Sequence, residues 1–430
     1  MARSPLTLAA AATSALPRVR VVAAGPLTAG GSGRCDAAVL RLDDGRSVVV
    51  RAPCDDAAAR ELAAEAVALG ALTPGVRALL GARAPEMLGD VPLGDARALV
   101  TDLLPGYQIE AAHLPPGPGA AESVGRALAS VHALPGSVVR DVGLPVRTAE
   151  AIRGETTTLL DRAESAGRVP AALLDRWREA LATDDVWRFE STVILGGASA
   201  TSFLFEDLPY VDDLSAPTVT GLLDWHGLSV GDPATDLRWL ASAPEAADDV
   251  FAAYCDSADR APDASLRTRA RLYAELEFVQ WLVHGIDRHE ATIVDDAAAL
   301  LDDLALSVRG DELVHRGASE SLDDAMAILD RLPSTSPGAD TSMQTDAYDP
   351  AELAGLFDPV DPEALPEPEP EGGAPAAATL SADTAPVDLV AWVDSRAAEP
   401  EDPPSADPDD DAAEAARASR EALRRWAASE

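Results

Sequence analysis

Three carboxylates in a short stretch have the clearest capacity for chemistry in this chain. Asp224 closes the apolar run Val219–Leu223, and Asp232 and Asp236 follow in Gly231-Asp232-Pro233-Ala234-Thr235-Asp236-Leu237. A strand-end aspartate can offer its oxygens to a hard cation, or it can cap backbone N–H groups in a turn. Both readings of Asp224 stand at this level. Asp232 and Asp236 are placed to brace the loop and cap the helix that follows, rather than to touch a substrate. The preceding stretch, VILGGASATSFLFE from Val193 to Glu206, has an apolar frame around a small polar turn. Within it Gly197 can accept no proton, and Ser202 offers only a hydroxyl.

The elements that must position these groups are legible from periodicity. Arg18–Ala24, Cys35–Leu42 and Ser47–Arg51 read as three strands of a meander, joined by the glycine turn Thr28–Gly33 and the turn Asp43-Asp44-Gly45. A turn rich in Gly30, Gly31 and Gly33 presents backbone N–H groups that can cradle phosphates, although glycine hairpin turns are common for purely structural reasons. Ala57–Leu69 reads as a helix, Ala98–Gly106 as a strand ending in Pro-Gly, and Ala121–Ala133 as an amphipathic helix with Val124, Leu128 and Val131 on one stripe. From Ala149 to Gly310 the pattern is helical, with segments at Ala149–Ala166, Pro170–Ala182, after Pro233, Pro244–Ala258, Ala264–His284 and Asp295–Val308. His132 falls on a packing helix, which favours a core or surface role. His226 follows Asp224-Trp225 and is placed to line a cleft. His284 and His289 have no nearby third ligand and do not read as a zinc site.

Taken together, these stretches resemble the catalytic core of the aminoglycoside and macrolide phosphotransferases. That family reads HGDLHPGNLLV, then a spacer, then a strand ending in IDW, then GDPxxDL. The second half is present as Leu223-Asp224-Trp225 and Gly231–Leu237. In the first half, aligned without a gap, Leu195 takes the histidine column, Gly197 the catalytic aspartate column and Ser202 the metal-binding asparagine column, while Gly196 and Phe203-Leu204-Phe205 match. The resemblance implies an α+β, bilobal protein-kinase-like fold, with a small antiparallel-sheet N-terminal lobe (1–105) and a helical C-terminal lobe (106–332). It also implies ATP or GTP with Mg²⁺ as cofactor. On this reading Gly30, Gly31 and Gly33 cover the phosphates, Arg51 is the strand cation with Glu65 its helix partner, the Asp102 segment is the hinge beside the base, and Asp224 holds the metal. A structural Arg51–Glu65 ion pair joining helix to sheet predicts the same contact.

Phosphoryl transfer rests on positioning, metal-borne charge neutralisation and a carboxylate that takes the attacking hydroxyl's proton. With Gly197 and Ser202 in those columns, the resemblance implies a weak or inactive small-molecule hydroxyl kinase. The alternative is a pseudokinase that binds nucleotide or a regulatory partner. Asp207, Asp212 and Asp213 are the nearest other acids and are poorly placed to replace the base. Restoring Gly197→Asp with Ser202→Asn is expected to raise latent activity. Glu245, Asp248, Asp249, Asp287 and Glu290 would suit a cationic amine substrate, and a solvated helix face explains them equally well.

Composition bounds the rest. The 430-residue chain carries a formal charge of −39, and all 34 of its basic residues are arginine. Such a polyanion excludes nucleic acid and anionic membrane surfaces as natural partners. From Ser334 onward there are 23 acidic and 5 basic residues in Pro/Ala-rich sequence, too polar for a core. Residues 333–430 therefore read as a disordered acidic tail. Two apolar islands, Pro350–Phe357 and Val387–Val393, and a helix-forming end, Asp411–Ala428, read either as motifs for a protein partner or as incidental to a solubilising tail. Cys35, Cys54 and Cys255 have neither metal nor disulfide-framework spacing, which fits the cytoplasm. The alanine-rich opening reads as a helix preceding the first strand rather than a leader.

Overall fold

In the computed structural model the described residues are 3–16, 19–27, 34–94, 96–209 and 215–314. The glycines at 30, 31 and 33, the acids at 212 and 213, and the whole tail lie outside them.

Helix α1 (Pro5–Ala12) is capped by Ser4, whose hydroxyl accepts from Thr7 N, and has proline at its start, a pairing that favours helix initiation. Strands β1 (Val21–Pro26), β2 (Cys35–Leu42), β3 (Ser47–Pro53), β4 (Met87–Leu93) and β5 (Ala96–Asp102) form one antiparallel sheet in the order β1-β2-β3-β5-β4. The edge strand β4 was concealed in the sequence by Gly89 and Pro92. An edge is where a strand tolerates proline. Helix α2 (Asp56–Ala71) follows β3, with the Asp55 carboxylate accepting from Ala58 N at 2.7 Å. The short helix α3 (Pro74–Arg77) leads on to β4.

Alternation along the strands sorts side chains to two faces. Val48 and Val50 of β3, with Ala98 and Val100 of β5, join Leu8 and Leu40 in a core under α1. The intervening Val49, Arg51 and Leu99 turn to the other face, towards α2 and the second lobe. That period of two puts Arg51 at the cleft.

In the second lobe, helix α4 (Ala120–His132) buries Val124, Leu128 and Val131. It crosses α8 (Pro244–Ser257) so closely that a Cβ on Gly125 would lie 2.4 Å from the Val250 carbonyl oxygen. The short α5 (Ser137–Arg140), then α6 (Ala149–Ser165), α7 (Ala171–Ala182), α9 (Leu266–Arg288) and α10 (Ala291–Ser307) complete the helices. Leu160, Leu173, Trp177, Leu272, Leu276 and Leu301 pack α6, α7, α9 and α10 together. Between α7 and α8 run two small antiparallel pairs, β6 (Thr192–Ile194) with β9 (Ser229–Gly231) and β7 (Phe203–Pro209) with β8 (Ser215–Leu222).

The helix expected after Pro233 is instead two 3₁₀ turns, Pro233–Asp236 and Arg238–Ser242. Leu237 N donates to the Ala234 carbonyl and Leu240 N to the Leu237 carbonyl, both at 3.2 Å, the three-residue spacing of a 3₁₀ turn, and the Asp236 carbonyl accepts from the Trp239 indole at 3.1 Å. Asp232 caps the first turn through Ala234 N at 2.9 Å. Neither acid caps α8, which has no side-chain cap.

Candidate active site

A cavity of about 260 Å³ lies between the sheet and the second lobe. Arg51 and Glu65 form one wall, the strand exit Thr101–Leu104 with Gly106–Gln108 another, and Thr201, Leu204, Leu223 and Asp224 the floor. The exit from β5 is pinned by a two-way backbone pairing of Tyr107 with Phe205, at 3.0 and 2.8 Å.

Arg51 forms an ion pair with the buried Glu65 of α2. Burial pulls the Arg51 guanidinium down, but Glu65, and then Asp224 across the cavity, outweigh it and raise it above its ordinary value. Asp102 also borders the cavity, yet its carboxylate accepts from Glu86 N at 2.6 Å and from Arg83 at 3.4 Å, so it ties the hinge to the preceding segment. The Asp207 carboxylate accepts from the Tyr107 hydroxyl at 2.6 Å, which pushes the phenol up to about 12.

Asp224 sits in the left-handed region at φ 59°, a conformation that aspartate tolerates better than most residues. It is set beside the loop because Leu223 N donates to the Ser202 carbonyl at 2.8 Å. The Ser202 hydroxyl, fully buried, donates to Asp224 Oδ2 at 2.7 Å and lies 3.0 Å from Ser199 N and 3.3 Å from Ser199 Oγ. A hydroxyl has one proton and two lone pairs; the proton goes to Asp224 and one lone pair takes the Ser199 amide. Asp224 Oδ1 makes no hydrogen bond among the described residues.

The loop from Leu195 to Ala198 is shaped from below. Asp236, completely buried, accepts from four successive amides: Leu195 N at 2.6 Å, Gly196 N at 2.9 Å, Gly197 N at 2.8 Å and Ala198 N at 3.2 Å. His132 Nε2 completes the set at 3.2 Å, with the Tyr254 hydroxyl 2.8 Å from its Nδ1. A carboxylate only accepts, so Nε2 is the donor. Burial works against the Asp236 charge, but His132 and the amides outweigh it and hold the carboxyl below the usual carboxylate range. Asp232 is locked by Arg269, two-pronged at 2.7 and 3.2 Å, and by the Tyr273 hydroxyl at 2.7 Å. Bracing was the role read for both acids from sequence, and it is the geometry observed.

Gly196 and Gly197 have φ of +82° and +134°. A Cβ on Gly196 would lie 2.0 Å from the Gly227 carbonyl oxygen, and one on Gly197 would lie 3.3 Å from an Arg238 guanidinium nitrogen. Where the resemblance puts a carboxylate, the structure therefore brings up a guanidinium, held by Glu277 at 2.6 Å. Sequence reasoning passed over Arg238. Its signal was a charged residue two positions past Asp236, in a segment otherwise apolar on that side. Of the remaining histidines, His132 is buried in the loop clamp and His226 is exposed. Among the described residues no cluster of three His, Cys, Asp or Glu side chains is arranged to hold a metal.

Residues 27–273, more than half of the chain, match the family described as "Phosphotransferase enzyme family", and the chain belongs to that family. Its kinase-like fold is shared with solved phosphotransferases. Macrolide 2'-phosphotransferase MphH from Brachybacterium faecium, an apoenzyme, is 22% identical with a TM-score of 0.56, the match covering 70% of this chain and 98% of that one. The GDP complex of wild-type aminoglycoside 2'-phosphotransferase-IIIa is 18% identical with a TM-score of 0.56, covering 70% and 98%. The GDP and kanamycin complex of APH(2")-IIia is 18% identical with a TM-score of 0.55, covering 68% and 96%. No curated protein matches the chain in sequence.

Proposed function

We propose that this chain is a nucleotide-binding member of the phosphotransferase family that transfers phosphoryl groups weakly or not at all, and so acts as a pseudokinase. The observation that carries the reading is the state of the loop. Position 197 has no side chain and faces the Arg238 guanidinium, while the hydroxyl in the neighbouring metal column is already spent on Asp224 and Ser199. A missing general base alone lowers rate by roughly a hundred- to ten-thousand-fold.

The nucleotide-binding half of the proposal rests on what is retained. Arg51 and Glu65 border the cavity, Asp224 faces them, and solved relatives carry GDP. Asp224 would hold one Mg²⁺ beside a bound nucleotide, an ion that commonly uses one or two carboxylates together with substrate phosphates. Bound there, it would neutralise phosphate charge. A second ion at Ser202 fits poorly, because that buried hydroxyl is already turned to Asp224 and takes the Ser199 amide. Arg51 grips phosphate, Glu65 orients Arg51, and the backbone of Leu103–Gly106 borders the base. On this reading the acidic tail, from its sequence, is the arm that meets a protein partner.

Calorimetric titration with ATP and GTP, with and without Mg²⁺, tests the first half. Metal-dependent micromolar binding that is lost in Arg51→Ala supports it, and no binding of either nucleotide removes it. The second half is tested by following phosphate transfer to kanamycin and to a macrolide. Turnover at an ordinary kinase rate of about 1–100 s⁻¹ would show an efficient enzyme and sink the pseudokinase reading.

A further inference from the structure

Behind the Asp236 clamp lies a second cavity, of about 430 Å³, which shares no lining residue with the Arg51 cavity. His132 and Tyr254 line it, the same pair that leads to Asp236 and the loop amides. Leu134, Phe189, Val193 and Val230 give it apolar walls. The Phe189 ring is faced on one side by the Arg269 guanidinium, 4.2 Å from its centroid. Thr192, in the same lining, has its hydroxyl oxygen buried with no hydrogen-bond partner among the described residues.

Three arginines and three acids also line this cavity, and most of that charge is committed. Arg188 pairs with Asp185 at 2.8 Å, Arg260 with Glu190, and Asp263 with Arg269 at 2.6 Å. Arg140 and Asp259 remain. Neither has an ion pair or a side-chain hydrogen bond among the described residues, and although both line the cavity they do not pair with each other. Both are exposed, so they stand at its mouth. The Arg140 guanidinium lies over Gly136, 2.9 Å from where a Cβ on that residue would stand, which places it at the rim with no acid to hold it. The cavity thus presents one uncommitted charge of each sign at its edge and an apolar interior.

We infer that this cavity binds a free amino acid with an apolar side chain, whose carboxylate meets Arg140, whose ammonium meets Asp259, and whose side chain lodges against Leu134, Phe189 and Val230. A guanidinium takes a carboxylate two-pronged, and ligand sites of about 300–1,000 Å³ combine apolar walls with a few polar groups that fix orientation. A simple anion would leave Asp259 beside a like charge, and a simple amine would do the same to Arg140. A zwitterion answers both. The inference does not rest on the proposed function, because neither charge belongs to the nucleotide cavity or to the loop clamp.

The test uses full-length protein with ATP and Mg²⁺ held constant, so that the Arg51 cavity is not the site being read. Three probes are titrated: L-phenylalanine, 3-phenylpropionate, which lacks the ammonium, and phenethylamine, which lacks the carboxylate. L-Phenylalanine is expected to bind with a Kd below about 1 mM. Each analogue is expected to bind about two- to fivefold more weakly, the worth of one exposed ion pair. Arg140→Gln should weaken L-phenylalanine and 3-phenylpropionate while leaving phenethylamine unchanged, and Asp259→Asn should weaken L-phenylalanine and phenethylamine while leaving 3-phenylpropionate unchanged. Melting temperatures equal to the parent's show that both variants are folded. No binding of L-phenylalanine at ten times that concentration, either analogue binding as tightly as L-phenylalanine, or variants that weaken all three probes alike or none would each overturn the inference. Failure of ATP to bind would overturn the proposed function and leave these titrations readable.

Discussion

Installing the family's acid and amide at their columns does not, by itself, rebuild a working site. Gly197 has φ +134°, a region nearly closed to other residues, so Gly197→Asp stores roughly 1–3 kcal/mol of backbone strain. Ser202 has no exposed surface, and Ser202→Asn forces a larger side chain into a filled site, worth about another 1–3 kcal/mol. The double variant is therefore expected to lose about 2–6 kcal/mol of unfolding free energy, which corresponds to a fall in melting temperature of roughly 5–20 °C. Any new carboxylate also starts within reach of Arg238, 3.3 Å from the Cβ position. An opposite charge at that range lowers a carboxyl pKa by about 1–3 units and makes it a poorer base. No gain in turnover is expected from the double variant, and a gain of about a hundred- to ten-thousand-fold only when Arg238→Ala is added. Scanning calorimetry and a phosphotransfer assay on all three proteins read both quantities. A double variant as stable as its parent, or as active as the triple variant, refutes the reasoning. The gain expected from sequence alone overlooked both the backbone at Gly197 and the guanidinium beside it.

Three further outcomes follow from the same geometry. Asp236 is held below its ordinary value of 3.8, so its stabilising contribution is present above about pH 4 and is lost as pH falls through the lowered folded value. Urea midpoints measured from pH 7 downward should fall less steeply in Asp236→Asn than in the parent, and equal slopes would contradict the clamp. Tyr107, raised by Asp207 to about 12, should still be protonated at pH 11 by ultraviolet absorbance, and Asp207→Asn should bring its titration down towards 10. The hydrogen bond it reports is intact below the ordinary tyrosine value and is lost as pH rises through about 12. Finally, Glu275 accepts from Trp177 at 2.7 Å and from Arg176 at 2.9 Å in the helical core. Glu275→Ala leaves a buried cation and an indole N–H without it, and should lower stability by about 3–5 kcal/mol in chemical denaturation. A loss under 1 kcal/mol would show that solvent reaches that pair.

Local signals carried much of this architecture. Strand β2 runs from Cys35 to Leu42 as its alternation predicts, and α4 and α6 begin within a residue of their expected starts. The Arg51–Glu65 contact is also present, because a period of two on the strand and 3.6 on the helix aims both at one face. What remained hidden was long-range. Nothing near Asp236 announces that its carboxylate gathers amides some forty residues upstream. Nothing near Arg238 announces a meeting with Gly197. The acids on the helical surface likewise look alike in sequence, yet Asp248, Asp249, Asp287 and Glu290 are engaged by Arg267, Gly117 N, Arg162 and Arg288.

The Asp236 clamp separates two properties that active sites usually keep together. The course of the loop is dictated by one acid that never faces the cleft, through main-chain groups that any amino acid supplies. The side chains at 195, 197 and 202 make none of those four bonds, yet they are not free to change: the positive-φ backbone at Gly197 favours glycine, and the Ser202 hydroxyl ties Ser199 to Asp224. The main-chain anchor does not depend on the catalytic groups, so the outline of an enzyme can outlive its chemistry while the fold settles around the residues that remain.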